Sequence, residues 1–151
     1  METVGLGGAS VRLGAAVVMV EAFDDGMWRR RARLVHATDA DTVRVACDLG
    51  FGVRAEIDLR LAGIDAPELR TQPGEDALVG LLDLFAEHAV WATSEAGGWP
   101  LRVETLRRVN GGEVRSFARW VGRLWVVAAT DGLVDVAEAM VELGHARRVA
   151  S

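Results

Sequence analysis

The chain has 151 residues, half of them apolar, with a formal charge of −5 and one cysteine. That length suits one domain whose core can close without disulfides or metal staples, and Cys47 has no intramolecular partner, so a reducing compartment is acceptable. No run approaches the ~20 apolar residues that span a bilayer. Leu13 to Val20 is followed by Glu21, Asp24 and Asp25 where a secretory signal wants small residues, so a cytoplasmic monomer without membrane contact is expected.

Residues 1–10 are Gly-rich and aperiodic, which predicts a flexible N-terminus, and 11–151 read as a single domain. Val11 to Phe23 is apolar and β-branched, Asp24-Asp25-Gly26 supplies turn chemistry, and Trp28 to Ala37 is extended again, which predicts a hairpin. A turn at Asp39-Ala40 leads into Thr42 to Cys47, which alternates as a half-buried strand does. After a turn over Asp48 to Gly52, the segment Arg54 to Leu61 puts Ile57, Leu59 and Leu61 on one face. Glu56, Asp58 and Arg60 take the other, so Arg60 points away from the core. Pro73 to Asp76 opens a helix whose stripe of Leu78, Leu81, Leu82, Phe85 and Ala89 runs to about Ser94, before Gly97-Gly98. Leu101 to Leu106 and Arg119 to Ala129 are strands, and a short helix runs from an N-cap at Asp135 to Gly144. The order predicts a mainly β fold with helices (α+β). It is an OB-fold-type five-stranded barrel with an inserted helix, a short second helix and an extra N-terminal strand. A mixed α+β sheet is the other arrangement that the pattern allows.

Asp39, Asp41, Asp65 and Glu68 are hard oxygen donors of the type that suits Ca²⁺ or Mg²⁺, although each taken singly is as readily a turn-former or a solvated loop acid. Their context is more specific. Asp39-Ala40-Asp41-Thr42-Val43, then Arg60-Leu61-Ala62-Gly63-Ile64-Asp65-Ala66-Pro67-Glu68, then Phe117-Ala118-Arg119-Trp120 resembles the staphylococcal nuclease-like family in order and approximate spacing, within a motif-bearing core of residues 29–149. The resemblance implies a Ca²⁺-dependent nuclease hydrolysing phosphodiester bonds of DNA, and by extension RNA, with little sequence specificity and 3′-phosphate products. It assigns Asp41, Asp65 and the backbone carbonyl of Ala66 to Ca²⁺, and Glu68 to the carboxylate that deprotonates or positions the attacking water. Arg60 and Arg119 fall to the scissile phosphate. A cation and two guanidinium forks would together offset the charge that builds on phosphorus. Two alternatives stay open: Arg60 as an ion-pair partner of Glu56 or Asp58, and Arg115 or Arg123 in the place given to Arg119.

The family's usual Gly is replaced by Ala40 and by Ala118. Ala40 costs ~1 kcal/mol if the turn needs positive φ, and nothing otherwise. The chain has no Tyr, so Phe117 is the expected substrate contact, with an aromatic face but no hydroxyl donor. His36, His88 and His145 lack ligand spacing, which argues against zinc. All the basic residues are Arg, whose planar forks suit phosphate, and Arg29-Arg30-Arg31-Arg33 reads either as a backbone-contact patch or as solvated strand surface. The net negative charge argues against a tight non-specific grip on nucleic acid. The competing function is a catalytically silent nuclease-like barrel that binds nucleic acid or protein.

Overall fold

A computed structural model describes residues 4–6, 9–11, 28–106, 115–116, 119–130 and 132–150. Val4–Leu6 (β1) pairs antiparallel with Ala9–Val11 (β2) in a two-stranded ribbon, where the sequence has no periodicity. Arg29–Asp39 (β3), Thr42–Asp48 (β4) and Arg54–Leu61 (β5) form an antiparallel meander. Ile64–Asp65 (β6) follows, and then two helices, Gln72–Glu87 (α1) and Val90–Glu95 (α2). Leu101–Thr105 (β7), Arg115–Ser116 (β8), Arg119–Val127 (β9) and Leu133–Asp135 (β10) lead to Val136–Glu142 (α3) and Arg147–Arg148 (β11).

Five of these strands close a barrel. β5 runs parallel to β9, β9 pairs antiparallel with β7, and β7 returns to β3, so the order β3-β4-β5-β9-β7 ends where it began. This is the expected OB-type barrel, and closure removes the exposed sheet edge that an open meander would present. The alternation seen in the sequence sets its inside: Val43, Val45, Leu59, Leu61, Leu101, Val103, Leu124 and Val126 are each at most 1 % exposed.

α1 is capped by the Thr71 hydroxyl, which accepts from the Gly74 N–H at 3.1 Å, and it buries Ala77, Leu81, Leu84 and Phe85. The single helix expected to reach Ser94 is broken. Ala89 adopts a left-handed conformation (φ 52°) and is exposed, and the chain restarts as α2 with Val90 fully buried. Alanine buries little area, so its place on an apolar stripe does not decide the local path, whereas burying Val90 does. α3 begins and ends as expected: the Asp135 carboxylate accepts from Glu138 N–H, and Gly144 takes φ 78° just past the end. β6 and β11, too short to show a period, pair as Asp65↔Arg147 and Ile64↔Arg148.

The segment 12–27, which carries most of the expected N-terminal hairpin and of the extra strand, lies outside the described residues; β3 takes β4 and β7 as neighbours. No described helix is long and apolar enough to cross a membrane.

Gly122 sits where β9 is paired on both sides, opposite Leu61 and Thr105, and its carbonyl accepts from Ala62 N–H at 2.8 Å. A Cβ there would lie 2.4 Å from the Glu104 carbonyl oxygen, which is backbone and cannot swing aside. Gly122→Ala is therefore expected to destabilise the protein by about 1–3 kcal/mol, measured by urea unfolding, with the denaturant slope unchanged.

Candidate active site

The end of β3 turns into β4 through Asp39-Ala40-Asp41, where the Asp39 carboxylate accepts from Asp41 N–H at 3.1 Å. Ala40 is buried, and its φ is not positive, so the alanine brings no backbone strain to the turn. The Asp41 carbonyl accepts from Leu61 N–H at 2.8 Å, which fastens this turn to the end of β5, and Thr42 stands opposite Arg60 across the β4–β5 seam.

The Asp41 side chain is only 10 % exposed. Its Oδ2 accepts from Ala66 N–H at 3.0 Å and lies 3.4 Å from Arg60 Nη1, and its Oδ1 accepts from the Thr42 hydroxyl at 3.2 Å. Burial pushes the Asp41 carboxyl above its ordinary value, and the neighbouring Asp39 adds to the rise; the Ala66 N–H and the Arg60 charge oppose it without cancelling it. Arg60 also donates to the Leu61 carbonyl at 2.9 Å and reaches Asp65 Oδ1 at 3.5 Å, while Arg147 holds Asp65 Oδ2 at 3.2 Å. Arg119 donates to the Thr42 hydroxyl at 3.2 Å. A continuous polar chain thus runs Arg119, Thr42, Asp41, Arg60, Asp65, Arg147.

These contacts bear on the alternatives left by the sequence for Arg60 and Arg123, while the Arg115 side chain lies outside the described residues. Arg44 takes Glu56 at 3.2 Å and Asp58 at 3.0 Å, so Arg60 is left to the two aspartates. Arg123 pairs with Asp135 at 2.8 Å, and of the two it is Arg119 that reaches the cluster.

Glu68 lies beside this chain and not within it. The Thr71 N–H and hydroxyl both donate to the Glu68 carbonyl, at 3.0 and 2.6 Å, and fold residues 68–71 into a tight turn. Gly74 lets α1 come down on that turn, since a Cβ there would stand 1.8 Å from the Glu68 carbonyl oxygen. The Glu68 side chain is 74 % exposed and pairs with Arg70, itself 89 % exposed, at 3.2 Å. A groove of about 490 Å³ joins Glu68 to Asp65 and Ala66 and is walled on its far side by His145 and Arg147. Gly80 on α1 makes room for the His145 ring, which a Cβ would meet at 2.5 Å. Arg147 and His145 are therefore site neighbours that the motif does not reveal; they arrive through the β6–β11 pairing, for which two residues leave no periodic signal. Phe117 and Ala118 lie outside the described residues.

Among the described residues, no three His, Cys, Asp or Glu side chains gather as a metal cluster. A cation here would rest on two carboxylates, Asp41 and Asp65, and the Ala66 carbonyl, with water and substrate completing the roughly six to eight oxygens that Ca²⁺ takes. The donor set fits a hard cation, because all three donors are oxygens and Asp41 and Asp65 are carboxylates brought to the same Arg60 guanidinium, at 3.4 and 3.5 Å. A scan against protein-family models finds no match, and a search of curated proteins finds none either.

Because the Asp41 pKa is raised on folding, the stability it contributes is full below the ordinary aspartate range near 3.8 and is lost as pH rises through the folded value. Asp41→Asn is accordingly expected to melt higher than the parent at pH 7, with the gap closing as the pH falls toward 4. CaCl₂ at pH 7 should raise the melting temperature of the parent and leave that of Asp41→Asn unchanged. A variant that melts lower than the parent at pH 7 would show that the Arg60 pairing outweighs the cost of burial.

Proposed function

We propose that this protein is a Ca²⁺-dependent nuclease of the staphylococcal nuclease type, hydrolysing DNA, and RNA as a second substrate, with little base specificity. One observation carries the reading. Two arginines and two aspartates drawn from separate segments, Arg60 and Arg119 with Asp41 and Asp65, meet in one polar chain, and its Asp65 also lines the groove that holds Glu68. Their residue types are those that phosphodiester cleavage needs: forks for the phosphate, hard donors for a cation and a carboxylate for the water.

Arg60 holds its two aspartates loosely, at 3.4 and 3.5 Å, and a phosphate would replace those contacts with shorter charge-assisted bonds. Arg119 spends one nitrogen on a neutral hydroxyl and keeps the rest of its fork for a second phosphate oxygen. The Glu68–Arg70 pair is worth about 0–1 kcal/mol at such exposure, so Glu68 is released to the attacking water at little cost. The water oxygen bonds to phosphorus as the bond from phosphorus to the 5′-oxygen breaks, the Glu68 carboxylate takes the water's proton, and the departing alkoxide is protonated from solvent. Ca²⁺ held by Asp41, Asp65 and the Ala66 carbonyl would supply further neutralisation of the phosphate charge.

The reading is tested by incubating purified protein with end-labelled single- and double-stranded DNA and RNA, in CaCl₂ and in EDTA, beside Glu68→Gln and Arg60→Ala. Cleavage is expected in CaCl₂ and absent in EDTA, with each substitution lowering the rate ~100-fold or more. Cleavage that survives both EDTA and Glu68→Gln overturns the mechanism, and protein that binds the oligonucleotides without cutting them under any condition is the silent barrel.

A further inference from the structure

We infer that the outward face of β3, β7 and β9 is a second nucleic-acid contact surface, an arginine–indole groove that carries a single strand toward the candidate site. A groove of about 580 Å³ lies across these strands, lined by Arg29, Arg30, Arg31, Arg102 and Arg123 with a single acid, Glu104. Such a concentration of one sign stands out in a chain of net charge −5. The register explains it. Arg31, Arg102 and Trp125 stand side by side on one rung of the three strands, and Arg29, Glu104 and Arg123 on the next.

The arginines are arranged to receive phosphates. Arg33 and Arg31 lie over the Trp99 ring, at 3.8 and 4.9 Å, and Arg123 lies over Trp125 at 4.7 Å. A guanidinium stacked on an indole is held flat. Arg33 gives its Nε and Nη2 to the Gly98 and Gly97 carbonyls and so fixes the Trp99 ring, while Arg31 and Arg123 turn their remaining N–H edges to an anion. Glu104, Asp135 and Asp48 engage Arg29, Arg123 and Arg31; the arginines are half exposed or more while the acids are 25, 19 and 15 % exposed, so a phosphate would share these outward guanidinium forks with the acids rather than displace them. Guanidinium planes and indoles interleaved along a track suit unpaired bases as well as phosphates, which selects a single strand over an acidic peptide or a closed duplex.

The track also leads to the site. On β9 the buried Gly122, Leu124 and Val126 alternate with outward residues, which places Arg119, Arg123 and Trp125 on the same face. Arg119 touches the Asp41 cluster through Thr42, and Arg123, four residues or about 13 Å further on, belongs to the groove. The inference takes its ligand class from the proposed function but not its chemistry, since a strand can be held here whether or not it is cut.

The test is fluorescence anisotropy with a fluorescein-labelled oligo-dT in EDTA, which prevents turnover, over a series of salt concentrations. The parent is compared with Arg29→Gln/Arg123→Gln and with Trp125→Ala, each checked by thermal melting. Ultraviolet crosslinking of the parent to the same oligonucleotide, with mapping of the attached peptide, needs no variant to fold. Expected are ~10-fold weaker binding and a salt slope shallower by about 1.4 for the double variant, as two lost phosphate contacts require. Trp125→Ala should bind ~5-fold or more weakly, and the crosslink should map to peptides carrying Trp99 or Trp125. A parent that binds, with variants unchanged in affinity and slope and crosslinks elsewhere, overturns the groove and leaves the nuclease reading standing. A parent that neither binds nor cleaves any nucleic acid overturns both.

Discussion

A carboxylate held nine-tenths out of water at Asp41 is the interaction around which this end of the barrel is organised. Burying an anion is costly unless hydrogen bonds and opposite charge meet it, and here they come from three parts of the chain: the Ala66 N–H, the Thr42 hydroxyl and the Arg60 guanidinium. Each partner is thereby pinned. The loop after β5 is drawn onto the β3–β4 turn, Arg60 is aimed along the barrel rim, and Asp65 is brought within reach of the same guanidinium. Burial first, and Asp39 beside it, raise the Asp41 pKa, and holding the anion there is a cost to the fold of the kind that functional sites carry.

The second constraint is the parallel seam between β5 and β9. Leu59 stands opposite Trp120 and Arg60 opposite Val121, so the first outward residue of β9, Arg119, faces the cluster while Arg123 is carried away along the strand. The same strand therefore serves two surfaces, one at each end of its outward face. Glycines make the close approaches that hold this arrangement: Gly122 where three strands meet, Gly74 where α1 rests on the Glu68 turn, and Gly80 against His145. In each case a methyl group would meet backbone or a ring at 2.5 Å or less.

The chain's charge acquires a different meaning in three dimensions. A net charge of −5 argues against a grip on polyanions, yet most of the arginines on β3, β7 and β9 face one way. Field and contact depend on how charge is distributed over a surface, and a sum over the sequence averages that away.

Much of the candidate site was legible from residue order alone. Asp41 belongs to one short ordered motif and Arg60 and Asp65 to another, both near turns and strand ends, and the alternation of Arg54 to Leu61 already directs Arg60 outward. The barrel was legible too, because period-two alternation and turn residues are properties of short segments, as were the caps at Asp135 and Gly144. What the tertiary structure alone decided depends on which segments become neighbours. That Arg119 touches Thr42 while Arg123 pairs with Asp135 follows from the β5–β9 register, and the freedom of Arg60 from Glu56 and Asp58 follows from Arg44 taking both. The harmlessness of Ala40 follows from a φ that no pattern reports, and the break at Ala89 from the burial of the residue after it. Arg147 joins the site through a two-residue strand pairing that spans more than eighty positions. Local sequence encodes local conformation and facing, whereas partnership across the chain is set by closure of the barrel and by competition among charges for the nearest counter-charge.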